Sequence, residues 1–293
     1  MTILVVGGSG FIGQSLLKHL TETSLDRICN ISRNKSNIET VEDFEVDLSD
    51  LPTLKFVIGR IQPTIVYHLA AQASQKPNPN KPDEIIKSNI LNTFNLIYSL
   101  PSHTHINFAS SIVIYGGIHD PTEFSPINTT SLYGASKVAC EELIKSNYHV
   151  KGNPYNIFRL GAMVGPGMTH GLLKDVISKI KSDSKTLELW GKDPGSSKVY
   201  THVQDVVEAI TCERFIPNEI VNICNDDDIS AREVAQITMK ELGIKKEIVW
   251  DETKIWRGDN VKLNANNELM RDILQKDFLG SREAIIHAVE ENK

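Results

Sequence analysis

The sequence predicts an α/β protein, a doubly wound parallel sheet followed by a smaller α/β C-terminal lobe. Three observations predict it. Short β-branched apolar runs alternate with helical patterns through the first half of the chain, a glycine-rich loop joins the first strand to the first helix, and beyond about residue 165 the alternation gives way to shorter, mixed elements. The composition suits such a fold: 40% of the 293 residues are hydrophobic, enough to bury a substantial core.

Taken in order, Ile3, Leu4, Val5 and Val6 read as a buried strand, and residues 12–20 read as an amphipathic helix in which Leu16, Leu17 and Leu20 recur. Residues 28–31, 44–46, 65–69 and 106–109 read as further strands. Between the last two, residues 85–100 place Ile86, Ile90, Phe94 and Ile97 at helical spacing. Another helix starts after Thr130 and runs through Lys145, and residues 156–160 form a sixth strand. Strands alternating with helices imply parallel βαβ units. The turn signals at Gly165, Pro166 and Gly167, at residues 191–195, and at residues 225–228 punctuate the rest. The expected division is residues 1–165, carrying a dinucleotide and the catalytic residues, and residues 166–293, a substrate lobe partly interleaved with the sheet.

Bulk properties exclude several functions. A formal net charge of -6 argues against nucleic acid as the main partner, because such proteins carry basic surfaces. No run approaches the roughly 20 apolar residues that a membrane span needs. The N-terminus reads directly into a strand and lacks a secretory leader, so a cytoplasmic location is expected. Cys29, Cys140, Cys212 and Cys224 lie far apart with no CxxC pair, which points to reduced thiols and no metal site.

Gly7, Gly10 and Gly13 sit between a strand and a helix, where the three glycines have separate tasks: a tight turn, close approach of backbone to a pyrophosphate, and close helix–sheet packing. The N–H groups around Phe11 and Ile12 then face the phosphates at the positive end of the helix. Binders of NAD usually place an acidic residue at the end of the second strand, about 20 residues on, to hold the ribose hydroxyls. Here that region reads Ser32, Arg33, Asn34 and Lys35, with no carboxylate. Arg33 can clamp a ribose 2′-phosphate, assisted by Ser32 and Asn34. NADP(H) is therefore the preferred cofactor, with NAD(H) as the alternative.

Tyr133 and Lys137 stand at i and i+4 on one helix face. A nearby ammonium favours the phenolate, so a tyrosine pKa lowered toward neutrality is expected, making Tyr133 a general acid or base for a carbonyl/alcohol pair. Ser110 and Ser111 precede this pair on the preceding strand pattern.

Together these motifs resemble the extended short-chain dehydrogenase/reductase family acting on nucleotide-diphosphate sugars, a group built on the Rossmann-type sheet. The resemblance covers nearly the whole chain. Asp47 and Leu48 resemble the adenine-contacting pair; Leu69, Ala70 and Ala71, after His68, resemble the cofactor-lining strand end, with Leu160 lining the cofactor from a later strand. Asn89 to Asn95 resembles the helix that follows. Segment 110–116 resembles the serine-bearing stretch, with Ser111 at its catalytic position; Gly165-Pro166-Gly167, residues 202–206 and Arg257-Gly258-Asp259 match later landmarks. The resemblance implies that Lys198 and Arg257 contact the substrate diphosphate, that Gln72 and Ser74 line the sugar pocket, and that Lys137 binds the nicotinamide ribose while Ser111 and Tyr133 act at the sugar C4 oxygen. It also implies a homodimer formed through the helix of the Tyr133–Lys137 pair and its neighbour over residues 85–100.

Departures from the family pattern order the candidate reactions. Sugar 4,6-dehydratases need carboxylates directly after the catalytic serine or threonine, where this chain has Ile112 and Val113. The 4-epimerases typically carry the acidic residue after strand two and an asparagine where Ala162 stands. The expectation is therefore NADPH-dependent reduction of a nucleotide-diphosphate 4-keto-6-deoxyhexose. An NAD-dependent nucleotide-sugar 4-epimerase is the alternative, and a non-catalytic NADP-sensing protein is a third reading. The base-binding residues lie in the variable C-terminal lobe, where His170 and Trp190 are candidates for stacking or for ordinary packing.

Overall fold

The computed structural model describes residues 1–73, 81, 83–254 and 261–293. In chain order the elements are β1 (Thr2–Val6), α1 (Phe11–Thr23), β2 (Arg27–Ser32), β3 (Glu42–Glu45), α2 (Leu51–Ile61), β4 (Ile65–His68), α3 (Asn92–Ser99), β5 (His105–Ser111), α4 (Leu132–Lys151), β6 (Tyr155–Leu160), β7 (Ala162–Val164), α5 (Leu172–Lys181), β8 (Thr186–Trp190), β9 (Ser197–His202), α6 (Val203–Ile210), β10 (Glu219–Ile223), β11 (Asp228–Ser230), α7 (Ala231–Leu242), β12 (Glu247–Asp251), β13 (Lys262–Leu263), α8 (Glu268–Leu274) and α9 (Ser281–Glu290).

Seven strands form one sheet in the order β10-β6-β5-β4-β1-β2-β3. The central strand β1 pairs in parallel with β2 on one side and β4 on the other, with Val6 opposite both Ile31 and His68. The strand order thus reverses at β1. In such sheets a ligand binds at the carboxyl ends of the strands at this switch point. The first compact unit comprises Met1–Ile114, Ser131–Arg159 and Ile210–Val221. Its core gathers Leu4, Val6, Ile31, Leu54, Ile58, Val66, Leu96, Ile106, Phe108, Ile144 and Ile157, each contributing roughly 1.5–3 kcal/mol by leaving water.

The second unit comprises Tyr115–Thr130, Leu160–Ala209 and Asn222–Lys293. Its strand β9 pairs antiparallel with β11 and in parallel with β7 and β13, while β8 pairs with β12. Val176, Ile180, Leu187, Leu189 and Ala235 form a core there. The chain therefore passes between the two units several times.

Two elements differ from the sequence reading. Helix α2 is not among the expected elements, although Asp50 caps it by accepting from the Thr53 N–H and Leu54, Val57, Ile58 and Ile61 are buried at helical spacing. The helix expected over residues 85–100 opens instead with a π-helical turn, Ile86–Leu91, before α3. All four cysteines are free, and Cys29, Cys140 and Cys224 are buried. Among the described residues, no helix is long and apolar enough to cross a membrane.

Candidate active site

The loop after β1 is shaped by its glycines. Gly7 adopts φ +92°, in the left-handed region, and a Cβ there would lie 2.8 Å from the Ala70 backbone nitrogen. At Gly13 a Cβ would lie 2.2 Å from the Gly7 carbonyl oxygen, so helix α1 packs against the loop only because that atom is missing. Gly10 is the N-cap of α1, with no side chain capping the helix and no acidic residue in its first turn. Among the described residues no side chain caps α1 where the N–H groups of Phe11 and Ile12 begin it, which suits an anionic phosphate. This cradle, which a Cβ would fill, fits a dinucleotide.

Asn30 ties the loop to the neighbouring strands. Its side-chain oxygen accepts from the Gly8 N–H at 2.9 Å, while its amide donates to Ser32 Oγ at 2.9 Å and to Asp43 at 2.7 Å. Asp43 also accepts from the Ser36 N–H and hydroxyl, and these bonds hold its carboxyl below the ordinary carboxylate range against the opposing effect of burial. Sequence reasoning passed over Asn30; its signal was a polar residue inside an otherwise apolar strand. Ser32 ends β2 and donates to the Asn34 carbonyl at 2.6 Å, whereas Arg33 and Asn34 are exposed. Asp47 is exposed beside the strand ends, its carboxyl lowered first by the Ser49 N–H and to a smaller degree by the Arg33 charge. Buried Leu48 gives its carbonyl to the Asn95 amide at 2.9 Å.

Beyond β4, Leu69 continues the sheet by donating its N–H to the Val6 carbonyl at 2.9 Å, placing Leu69, Ala70 and Ala71 next to the glycine loop. Gln72 follows, and Asn89 grips it: the Gln72 N–H donates to the Asn89 side-chain oxygen at 2.7 Å, and the Asn89 amide returns a bond to the Gln72 carbonyl at 3.2 Å. The same amide reaches Ser136 Oγ at 2.9 Å. Asn89 is buried in the π-helical turn, and such turns recur at functional sites because they redirect a side chain. No periodicity could have announced it.

Helix α4 begins where Ser131 accepts from the Gly134 N–H, and this cap fixes Tyr133 in the first turn. The Tyr133 hydroxyl is hydrogen-bonded with Ser111 at the end of β5. Lys137 is buried; its ammonium donates to the Ala109 carbonyl at 2.7 Å and lies 5.7 Å from the Tyr133 ring centroid. The expected lowering of the tyrosine pKa is corrected here. Burial pushes the Tyr133 phenol well above its ordinary value, and the Ser111 bond offsets only part of that. Burial likewise pulls Lys137 down to about 8, against the raising influence of Cys140 and Glu141. The ammonium donates to the Ala109 carbonyl and lies near the Phe108 and Tyr133 rings. Nearby His68 is buried, bonded to Thr93 through Nε2 at 2.8 Å, and held neutral, its pKa lowered to about 3 by burial.

The first unit thus brings together the glycine loop, Ser32 to Asn34, Asp47 and Leu48, Leu69 to Gln72, and Ser111, Tyr133 and Lys137. Leu160 and Lys198 belong to the second unit: Leu160 is buried at the end of β6, and Lys198 lies on β9 opposite Ile229. Ser74 and Arg257 lie outside the described residues. Ile112 and Val113 are buried, so neither side chain offers a proton-transfer group beside Ser111.

The chain is similar to known proteins over most of its length. The profile of the NAD dependent epimerase/dehydratase family matches residues 3–224. A putative UDP-glucose 4-epimerase of Methanocaldococcus jannaschii is 31% identical over 268 residues, covering 86% of each chain. A dTDP-glucose 4,6-dehydratase of Haemophilus influenzae is 30% identical over 180 residues, about half of each chain (53%). The crystal structure of the UDP-glucose 4-epimerase of Thermus thermophilus in complex with NAD is similar with a TM-score of 0.89 and 25% identity, covering 99% of this chain and 98% of that one.

Proposed function

Because the chain belongs to the NAD-dependent epimerase/dehydratase family, the nucleotide-sugar branch of the extended short-chain dehydrogenases/reductases, we propose that it is an oxidoreductase acting at C4 of a nucleotide-diphosphate sugar, with 4-epimerisation as its reaction. The observation that carries this reading is the Ser111–Tyr133–Lys137 set held at the strand ends beside a glycine cradle. The relatives move epimerisation ahead of the reduction that the sequence alone favoured, since a putative UDP-glucose 4-epimerase and the structure of a UDP-glucose 4-epimerase are both similar over most of the chain length.

Gly7, Gly10, Phe11, Ile12 and Gly13 hold the pyrophosphate, and Lys137 holds the nicotinamide ribose. A bound nicotinamide would supply hydride transfer at the sugar carbon. Tyr133 gives and takes the proton at the C4 oxygen. Ser111 hydrogen-bonds that oxygen as charge develops on it. The buried Ile112 and Val113 leave no acid/base pair for elimination of water, which argues against the dehydratase branch. Lys198 and Arg257 are proposed to meet the substrate diphosphate, and Gln72 and Ser74 the sugar.

One observation favours a second reading. Ser32 stands where a ribose-binding acid is usual, Arg33 is exposed beside it, and the carboxylate of Asp43 is engaged by Asn30 and Ser36. This suits NADP(H), and with it net reduction of a 4-keto-6-deoxy sugar nucleotide. Incubation with UDP-, dTDP-, GDP- and CDP-linked hexoses and their 4-keto-6-deoxy derivatives, with NADH or NADPH, separates the two. Epimerisation gives a new hydroxy-sugar with no net change at the nicotinamide band; reduction consumes NADPH in proportion to product. Absence of both reactions across the panel would overturn the proposal.

A further inference from the structure

The first unit contains a buried ion pair that the reaction above does not use. Glu141 and Arg159 are both almost fully inaccessible. Arg159, on β6, donates from Nε at 3.1 Å and from Nη2 at 2.8 Å to the two carboxylate oxygens. Ser110 Oγ, on β5, donates to the same carboxylate at 2.5 Å. A buried carboxylate is tolerated when charge-assisted bonds satisfy it, and a buried pair of this kind is weak evidence for stability in itself.

Its position gives it meaning. Three consecutive residues at the end of β5 each meet a side chain from one face of α4: Ser111 meets Tyr133, the Ala109 carbonyl meets Lys137, and Ser110 meets Glu141. The three helix residues follow one another at i, i+4 and i+8, so a single helix face is locked to a single strand end. We propose that Ser110, Glu141 and Arg159 are positioning residues, with Arg159 orienting the Glu141 carboxylate and Glu141 fixing the register of β5 against α4 through Ser110.

Glu141 stands one helical turn beyond Lys137 on α4, so the groups facing the Lys137 ammonium make it a reporter of the carboxylate's place. From α4 these are Tyr133, Cys140 and Glu141; from β4 it is His68, which is neutral. From β5 come the Ala109 carbonyl and the Phe108 ring, whose centroid is 4.8 Å away. Burial opposes the charge and pushes the Cys140 thiol up as well, and the Glu141 carboxylate, bound by the Arg159 guanidinium of β6, is the acidic group of this helix face beside it.

This inference rests on the C4 oxidoreductase reading, and its test separates the two. The Lys137 titration is followed by 13C NMR of lysine labelled at Cε, with Lys137→Met for assignment; it needs no substrate. In Glu141→Gln the Lys137 midpoint falls by about one pH unit, whereas Glu141→Asp, which keeps the charge, stays near the wild type. Ser110→Ala keeps the ion pair but takes one bond from the buried carboxylate; the melting temperature falls somewhat, and kcat for UDP-glucose epimerisation falls about tenfold at unchanged KM, as expected when a catalytic group is displaced. An unmoved Lys137 midpoint in Glu141→Gln, or normal kcat in Ser110→Ala, would overturn the proposal. Should Glu141→Gln fail to fold, a Glu141→Asp protein in which Lys137 titrates well away from the wild type contradicts it equally. A wild-type protein inert toward UDP-glucose would count against the choice of substrate and leave the titration standing.

Discussion

Lys137 donates its ammonium to the carbonyl oxygen of Ala109 at 2.7 Å, and this bond joins the helix that carries Tyr133 to the strand that carries Ser111. Burial lowers the Lys137 pKa to about 8 from the ordinary 10.5. Below about pH 8 the folded and unfolded chains both keep this proton, so the cost of burying the charge is fully present. Between about 8 and 10.5 the unfolded chain holds a proton that the folded chain has shed, so this residue's share of stability rises with pH. Urea unfolding of the wild type and Lys137→Met at pH 7, 8, 9 and 10 reads it directly: the wild type gains on the variant as pH rises through this window.

Cofactor choice is decided at the end of β2. Arg33→Ala is expected to weaken NADPH binding about tenfold while changing NADH binding little, because only the former carries a 2′-phosphate for a guanidinium. Ser32→Asp is expected to reverse the preference. Quenching or enhancement of nicotinamide fluorescence on titration gives both affinities, and equal NADPH affinity in wild type and Arg33→Ala removes Arg33 from the site.

Gly13→Ala places a methyl group 2.2 Å from the Gly7 carbonyl oxygen, where no flexible side chain can yield. The expected destabilisation is roughly 1–3 kcal/mol, with a clear loss of dinucleotide affinity. Chemical denaturation and the same fluorescence titration check the two halves separately.

Leu91, Phe94, Tyr98 and Tyr148 are large and exposed, and the Phe94 and Tyr98 rings stack with centroids 5.7 Å apart. Exposed apolar groups gathered on helical faces mark association surfaces. A homodimer through α3 and α4 is expected, and Phe94→Glu should give a monomer by light scattering at micromolar concentration. A monomeric wild type would contradict this.

Much of this arrangement could be read from residue order. Gly7, Gly10 and Gly13 between a strand and a helix, and Tyr133 with Lys137 one turn apart, carry their chemistry in their spacing; the glycines follow β1 and the pair packs on the end of β5, with β4 between those two strands. Long-range partners were not legible. Asn89 acts from a π-helical turn that no 3.6-residue pattern describes, and Asn30 acts on Gly8, 22 residues away in sequence. The Tyr133 pKa escapes a reading by spacing because i,i+4 gives proximity alone, whereas burial, which spacing does not show, pushes the phenol up. The order of reactions was drawn from absent residues such as an acid at Ser32, and similarity along the chain weighs the other way.

The most direct test of the account is the steady-state rate of Tyr133→Phe beside the wild type with the nucleotide sugar that the panel identifies. The substitution removes one hydroxyl, and with it the proton exchanged at C4 and the bond with Ser111. Turnover is expected to fall by roughly 10²–10⁴-fold while dinucleotide affinity stays within a few-fold of the wild type. Turnover close to that of the wild type would contradict the assignment of Tyr133, and with it the chemistry proposed for this site.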